Sequence, residues 1–245
     1  MSQPDYVASD IHLGAVPRET ERAFLRFLEH VGASAGQLLL PGDLFDFWFE
    51  WGKLIPGKQF RVLAALAAIV DAGVPVSMVG GNHDAWGGRF LVEEVGMSYT
   101  TGMLRMELGG RSTLVAHGDG VGIGDLKYRM LKAVIRSRAA VAGFRLLHPE
   151  IGLGIARRVS STEAKADDDP AMKGRSRYIQ AWAHGMLAAE PGLELVVCGH
   201  SHLPVLDEVA PGRFYLNSGD WVRNRSYAVV PAGGGGAPEI RIWDG

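Results

Sequence analysis

The sequence of 245 residues predicts an α/β protein built around a parallel sheet. Short apolar runs, typical of buried strands, alternate with segments whose apolar residues recur at helical spacing, as in strand–helix–strand units. Five of the apolar runs are followed within three residues by Asp, Asn or His. Because the carboxyl ends of parallel strands open onto one crevice, we expect those polar side chains to lie close together in space.

The first part of the chain contains two strand–helix–strand units. Residues 6–9, 38–40 and 74–79 are the predicted strands. Apolar residues recur at helical spacing over residues 17–31 and 58–71, which predicts the two connecting helices. This alternation favours parallel pairing of the three strands.

Beyond the third strand the predicted elements are shorter. A helix over residues 89–95 precedes a hairpin formed by residues 104–108 and 112–116 around Gly109-Gly110. A long helical segment follows, and residues 193–198 then predict another buried strand. The chain ends in short antiparallel strands predicted over residues 205–209, 213–216, 226–230 and 239–243.

Composition and charge limit the classes of function. The hydrophobic fraction of 47% and the charged fraction of 21% suit a single globular domain over residues 1–245. A net charge of −2 argues against binding nucleic acid through bulk charge. The single cysteine, Cys198, predicts a buried structural thiol in a reducing compartment. With no apolar leader and no run of about eighteen apolar residues, we expect a cytoplasmic protein without a membrane span or an obligate protein partner.

The five strand ends carry residue types that bind metal ions. Two carboxylates, four imidazoles and one amide are too many ligands for one divalent ion and suit two, with Asp43 as the candidate bridge because a carboxylate offers two oxygens. Mixed nitrogen and oxygen ligands favour Mn, with Fe, Co or Zn as alternatives, and the lack of a cysteine ligand argues against structural zinc. The candidates are Asp10, His12, Asp43, Asn82, His117, His200 and His202, with His83 beside Asn82.

Residues of about 120–190 interrupt the strand–helix rhythm and form a predicted helical insertion. Between Lys127 and Trp182 there are twelve Lys or Arg against five Asp or Glu, interleaved with apolar residues. This composition is compatible with a solvated helical face. It also suits a cap that attracts an anionic substrate or contacts an anionic membrane surface. The aromatic run from Leu44 to Trp51 has two interpretations: its side chains pack within the loop, or they form a wall of the substrate site.

The chain resembles the calcineurin-like metallophosphoesterases in five ordered motifs. They are Asp10-Ile11-His12, Gly42-Asp43, Gly81-Asn82-His83-Asp84, His117, and Gly199-His200-Ser201-His202. The resemblance implies a four-layer α/β/β/α sandwich around a binuclear metal site that hydrolyses a phosphoester. It also implies that both ions share Asp43 and that His83 protonates the leaving oxygen. The other ligands form two sets, Asp10, His12 and His202 for one ion and Asn82, His117 and His200 for the other.

Asp84, the last residue of the third motif, has two interpretations. It is a candidate hydrogen-bond partner for a ligand histidine. It is equally a candidate for stabilising the turn after the third strand, since Asp side chains often bond to nearby backbone N–H groups.

Within that superfamily the chain is similar to the UDP-2,3-diacylglucosamine hydrolases of lipid A synthesis. The likeness lies in residues 9–14, 42–48 and 117–119, in the chain length and in the helical insertion before residues 199–204. It implies cleavage of UDP-2,3-diacylglucosamine to UMP and lipid X (2,3-diacylglucosamine 1-phosphate), with the acyl chains under the insertion and peripheral contact with the inner face of the membrane. The basic and polar contacts in the insertion are then Arg157, Arg158, Ser160 and Lys165.

His83 separates this chain from many members of that lipid enzyme family, which carry Arg at the position. A phosphodiesterase or phosphatase acting on nucleotides or other organic phosphates is therefore a second hypothesis. A scaffold of the same fold without turnover is a third. The complete ligand set together with His83 argues against the scaffold, because a purely structural role needs no acid.

Overall fold

The computed structural model describes residues 3–121, 126–159 and 170–245, which fold into two β-sheets with helices packed against them. Strands are numbered in chain order. They are β1 Asp5–Val7, β2 Leu38–Leu40, β3 Val76–Gly80, β4 Ser98–Thr101, β5 Met103–Leu108, β6 Arg111–Ala116, β7 Leu195–Cys198, β8 Pro204–Ala210, β9 Arg213–Ser218, β10 Ser226–Val230 and β11 Glu239–Ile242. The helices are α1 Arg18–Ser34, α2 Phe60–Asp71, α3 Arg89–Glu93, α4 Leu126–Ile135, α5 Arg138–Arg145, α6 Pro149–Val159 and α7 Pro170–Ala189.

Within these residues the first sheet has the order β11-β10-β1-β2-β3-β4 and the second has the order β5-β6-β7-β9-β8. The run from β1 to β4 is parallel, and Leu38 pairs with both Tyr6 and Val76. In the second sheet β6, β7 and β9 are also parallel to one another. The predicted parallel strand–helix–strand units are therefore confirmed, and a second sheet with its own parallel strands lies beside them.

The layers follow from the burial of both faces of each sheet. In β2, Leu38 and Leu40 point to the helices α1 and α2, whereas Leu39 points to the second sheet. This alternation is the period of two that a strand imposes on its side chains, and it explains why a buried parallel strand is apolar throughout. On the far side of the second sheet, Ile179 and Ala183 of α7 complete the core. The predicted four-layer α/β/β/α order is thus confirmed.

Two strand predictions need correction. The prediction omitted β4, because its sequence Ser-Tyr-Thr-Thr is polar and only partly buried at the edge of the first sheet. The C-terminal strands do form antiparallel pairs, β8 with β9 and β10 with β11, but the two pairs belong to different sheets. The sequence pattern does not show which sheet each pair joins, because the alternation of apolar and polar residues and the burial of a strand are the same in either sheet.

The segment predicted as an insertion contributes helices α4 to α7 between β6 and β7. Phe144 of α5 packs on the aromatic run of the loop after β2, with ring centroids 4.8 Å from Phe49 and 5.9 Å from Trp51. The loop-packing interpretation of that aromatic run is therefore confirmed. In the described part of the chain, no helix is both long and apolar enough to cross a membrane.

Candidate metal centre

Five strand ends converge on one crevice between the sheets. Strands β1, β2 and β3 of the first sheet and β6 and β7 of the second are each followed by predicted ligand residues. Their nitrogen and oxygen atoms form three overlapping groups, each lying within 4.8 Å. The groups are Asp10, His12 and His202; His12, Asp43 and His83; and Asp43, His117 and His200.

Asp43 lies at the centre of these groups. Its Oδ2 is 3.2 Å from His117 Nε2 and 3.8 Å from His12 Nε2. Its Oδ1 accepts a hydrogen bond of 2.9 Å from the backbone N–H of His83. One buried carboxylate therefore faces both halves of the site, as the bridging role predicted for Asp43 requires.

The first half of the site contains Asp10, His12 and His202. His202 Nε2 lies 3.4 Å from Asp10 Oδ1 and 3.3 Å from His12 Nε2. The backbone N–H of His200 donates to Asp10 at 3.0 Å, which links the β7 loop to the β1 loop. Two imidazole nitrogens at this distance require either a proton or a shared cation between them, because both carry lone pairs.

The second half contains Asn82, His117 and His200. Asn82 Oδ1 lies 3.2 Å from His117 Nε2, and the His117 and His200 rings are 5.0 Å apart. His117 Nδ1 is 2.9 Å from the carbonyl oxygen of Pro41. Since a carbonyl can only accept, Nδ1 carries the hydrogen, and Nε2 is the nitrogen left to bind an ion.

The backbone is strained at these positions. Among the described residues, six that are not glycine have positive φ. One is Arg225; the other five are Asp10 at 54°, His12 at 51°, Asp43 at 52°, His200 at 66° and His202 at 61°. Left-handed backbone in such residues costs on the order of 1–3 kcal/mol each and persists where the surrounding structure demands it. The strain is thus concentrated on the predicted ligands.

The turn after β3 also depends on glycine. A Cβ at Gly81 would collide with Asp43 Oδ1 and would lie 2.8 Å from the backbone nitrogen of Asp43. The two-glycine turn therefore allows the β3 loop to approach Asp43 closely enough to present Asn82 beside it.

Asp84 takes the turn-stabilising role. Its carboxylate accepts backbone N–H bonds from Gly81 at 2.7 Å, from Leu44 at 2.8 Å, and from Asp43 and Phe45 at 3.3 Å. Burial, and then the charge of Asp43, raise the pKa of Asp84 to about 7. Asp84 thereby ties the β3 loop to the β2 loop, and its hydrogen bonds go to backbone groups.

His83 lies at the rim of the site with 19% of its side chain exposed. Its Nδ1 is 2.7 Å from the carbonyl oxygen of Asp46, and its ring meets that of His12 edge-on with centroids 4.7 Å apart. The Asp46 carboxylate is 3.8 Å from His83 Nδ1 and 3.7 Å from His12 Nδ1. Asp46 had no predicted role, although it lies in residues 42–48, one of the stretches that carry the family likeness.

Asp220 is a second residue that sequence reasoning missed. Its Oδ2 lies 3.0 Å from His202 Nδ1 and 2.9 Å from Arg223 Nη2. A carboxylate on the distal nitrogen of a ligand histidine fixes the orientation and basicity of the ring. The available signal was its position two residues after the end of a strand, β9, because closeness to a strand end also identified the other site residues.

The charges of the site perturb its histidines in opposite directions. Burial alone would lower the pKa of His117, but the charge and hydrogen bond of Asp43, together with the charges of Asp119 and Asp10, outweigh it and raise the pKa to about 10. Burial would raise the pKa of Asp43, yet the neighbouring imidazoles, His117 foremost, hold it well below its usual range. Burial and the charge of His117 hold the pKa of His200 well below its usual value. The centre is a compact array of coupled charges around one carboxylate.

Two of the four predicted substrate contacts lie in α6. Arg158 is exposed on α6, and Arg157 precedes it in the same helix. Ser160 and Lys165 lie outside the described residues. Closer to the metal ligands, a cavity of about 300 Å³ extends from His117 to Lys132 of α4, Met103 of β5 and Trp182 of α7.

Comparisons with known proteins give matches over most of the chain. The sequence profile of the calcineurin-like phosphoesterases matches residues 6–204. A UDP-2,3-diacylglucosamine hydrolase of Stenotrophomonas maltophilia is 30% identical, with 92% of this chain and 94% of that protein aligned. Enzymes of the same name from Porphyromonas gingivalis and Escherichia coli are each 28% identical, with 91% of this chain aligned to 92% and 93% of theirs.

Proposed function

The chain belongs to the calcineurin-like phosphoesterase family, and from that premise we propose that it hydrolyses the pyrophosphate bond of UDP-2,3-diacylglucosamine, releasing UMP and 2,3-diacylglucosamine 1-phosphate. The protein is a metal-dependent hydrolase. The observation that carries the substrate proposal is the similarity to enzymes of that name over 91–92% of this chain.

The donor set around Asp43 fits a pair of divalent ions. We assign Asp10, His12 and His202 to one ion and Asn82, His117 and His200 to the other, with Asp43 shared. Two of the compact groups support the assignment, namely Asp10, His12 and His202, and Asp43, His117 and His200. The 3.2 Å distance from Asn82 Oδ1 to His117 Nε2 and the positive φ at five ligand positions support it as well. Imidazole, carboxylate and amide donors favour Mn, with Fe, Co or Zn as alternatives. These residues would hold two divalent ions, and such a pair would supply polarisation of a phosphoryl oxygen, a lowered pKa for a nearby water and stabilisation of an in-line displacement.

His83 is the proposed general acid. The Asp46 carbonyl holds the hydrogen on Nδ1, so Nε2 is the nitrogen that exchanges a proton with the substrate. The backbone hydrogen bond to Asp43 fixes the residue beside the shared ligand. The ring can donate from Nε2 only as an imidazolium with hydrogens on both nitrogens, a form that histidine reaches near neutral pH, and we infer that this Nε2 proton passes to the oxygen of the leaving phosphate.

Helices α4 to α6 form the proposed cap. They carry cationic residues and large apolar side chains that face outward, a combination that suits a substrate with an anionic head and acyl chains. The exposed apolar side chains in these helices and in the residue directly after α5 are Met130, Val134, Ile135, Leu146, Ile151 and Ile155. Roles for Arg157, Arg158, Ser160 and Lys165 in binding the substrate are part of this proposal. A cytoplasmic location and contact with a membrane surface also stay predictions.

A second candidate function rests on His83 itself. Since many members of the lipid enzyme family carry Arg here, a phosphodiesterase that acts on nucleotides or other organic diphosphates is the alternative. The same metal centre and general acid would serve both reactions, so the two functions differ only in what the cap region binds.

The deciding experiment is a direct assay of the Mn-loaded protein. Incubation with UDP-2,3-diacylglucosamine should yield UMP and the diacylated sugar phosphate, detected by mass spectrometry. UDP-glucose, ADP-ribose and bis(4-nitrophenyl) phosphate serve as comparison substrates without acyl chains. Hydrolysis of these compounds with none of the lipid substrate would favour the alternative, and no hydrolysis of any substrate would refute both.

A further inference from the structure

The end of α4 reaches two loops of the metal centre at once. Arg136, the residue after α4, uses one guanidinium nitrogen, Nη2, for two contacts. It donates to the carbonyl oxygen of Gly81 at 2.9 Å and to the carboxylate of Asp119 at 3.1 Å. Only 18% of the Arg136 side chain is exposed, so these bonds are shielded from bulk water. Shielded, charge-assisted hydrogen bonds are stronger than exposed ones.

The two loops joined by Arg136 carry Asn82 and His117, which we assigned to the same ion. Gly81 directly precedes Asn82, and Asp119 follows His117 by two residues. The two side chains come from strands of different sheets, since β3 belongs to the first sheet and β6 to the second. No hydrogen-bond ladder between neighbouring strands therefore sets the distance between Asn82 and His117, and contacts across the sheets must do so.

A neighbouring contact holds the other end of the same loop. Trp86 Nε1 donates to the carbonyl oxygen of Ile135 at 3.3 Å. The loop from Gly81 to Trp86 is thus bonded near both ends to adjacent residues, Arg136 and Ile135. Asn82 and His83 lie between these two attachment points, so the position of α4 and the position of the loop depend on each other.

Lys132 provides an internal comparison. Its Nζ lies 2.7 Å from the Asp119 carboxylate and 2.9 Å from the Asp119 carbonyl oxygen, one helical turn before Arg136. Both cations neutralise Asp119, but among the described residues Lys132 makes hydrogen bonds and ion pairs to the His117 loop alone. Removal of either side chain therefore changes the charge near Asp119 by the same amount, whereas removal of Arg136 also breaks the link to Gly81.

We infer that Arg136 is a positioning residue that sets the spacing of Asn82 and His117, and with it the affinity of the ion they share. The inference rests on the metal centre assigned above. Arg136 acts through the two loops and contacts neither reacting atoms nor an ion. A polar residue that orients metal ligands in this way typically changes metal affinity by about 10–100-fold when it is removed.

The test compares Arg136→Met with Lys132→Met, because Met keeps most of the apolar stem and removes the charged donors. Metal-free proteins are titrated with Mn, and bound metal is measured by elemental analysis and by electron paramagnetic resonance. Wild-type protein and Lys132→Met should bind two ions. Arg136→Met should bind the first ion as the wild type does and the second about 10–100-fold more weakly, so that isolated Mn replaces the spin-coupled pair.

Two results would overturn the inference: wild-type affinity for both ions in Arg136→Met, or an equal weakening in Lys132→Met. The thermal midpoint of each metal-free variant reports whether it folds. If Arg136→Met fails to fold, Arg136→Lys replaces it in the titration. The lysine side chain keeps the positive charge but is shorter, so binding of the second ion should still be weaker than in the wild type. Wild-type affinity of Arg136→Lys for both ions would also overturn the inference. A wild-type protein that binds no stoichiometric Mn would instead refute the metal centre itself.

Discussion

His83 Nδ1 lies 2.7 Å from the backbone carbonyl oxygen of Asp46, so the hydrogen of the neutral ring is on Nδ1 and Nε2 is its basic nitrogen. This contact comes from the loop after β2, whereas His83 follows β3. The residue proposed as the general acid is therefore oriented by the same loop that supplies Asp43.

Replacing His83 with Ala should preserve the metal content and remove most of the turnover. We expect kcat to fall about 10²–10⁴-fold on a substrate with a poor leaving group, because proton donation to the leaving oxygen is lost. With a 4-nitrophenyl leaving group, which needs little protonation, the fall should be much smaller. Equal losses on both substrates would contradict the general-acid role.

Asp220→Asn should weaken the binding of the ion assigned to Asp10, His12 and His202. The carboxylate that orients His202 Nδ1 at 3.0 Å becomes an amide that is a poorer acceptor. We expect about a 10–100-fold loss of affinity for that ion in a Mn titration. Asp207→Asn, at a half-exposed carboxylate paired with His184, is the matched control and should bind Mn as the wild type does. Equal Mn binding by both variants would contradict the role of Asp220.

Metal uptake should release protons and should strengthen as the pH rises. The pKa of His117 in the metal-free protein is raised to about 10 by Asp43, so the ring is protonated at neutral pH and must lose a proton before Nε2 can bind an ion. For one such proton, affinity should rise about tenfold per pH unit below that pKa. Mn titrations at several pH values would measure the slope, and a flat dependence would contradict this protonation state.

The raised pKa of His117 also predicts how the stability of the metal-free protein depends on pH. A histidine whose pKa is raised on folding stabilises the folded state fully below its unfolded value, near 6.5, and this contribution disappears as the pH rises through the folded value of about 10. The free energy of unfolding without metal should therefore lose this contribution between those two values. His117→Gln, which does not titrate, should lack this part of the pH dependence.

Asp84→Ala should destabilise the fold without removing any predicted ligand. Four backbone N–H groups would lose their acceptor in a buried turn. We expect a loss of about 2–4 kcal/mol in the free energy of unfolding, measured with urea. The control is Asp71, which is exposed at the end of α2. Asp71→Ala should change the free energy of unfolding by no more than about 0.5 kcal/mol. Similar small changes in both variants would show that the Asp84 bonds contribute little.

Strand prediction succeeded where burial on both faces leaves a continuous apolar run, as in β2 and β7. It failed at β4, whose polar residues pair at a sheet edge where one side remains wet. The same local logic identified every residue of the three groups of candidate ligands, because each lies within five residues of the end of a strand. The assignment of C-terminal strands to two sheets had no local signature.

The sequence by itself determined which residue types stand at the five strand ends and in which order, because a strand and the turn after it are encoded by neighbouring residues. Only the tertiary structure decided that Asp220 supports His202 across 18 residues and that Arg136 reaches Gly81 across 55. These contacts depend on how the two sheets and α4 pack against one another. Such packing is a property of the whole chain, so no stretch of sequence around either residue contains it.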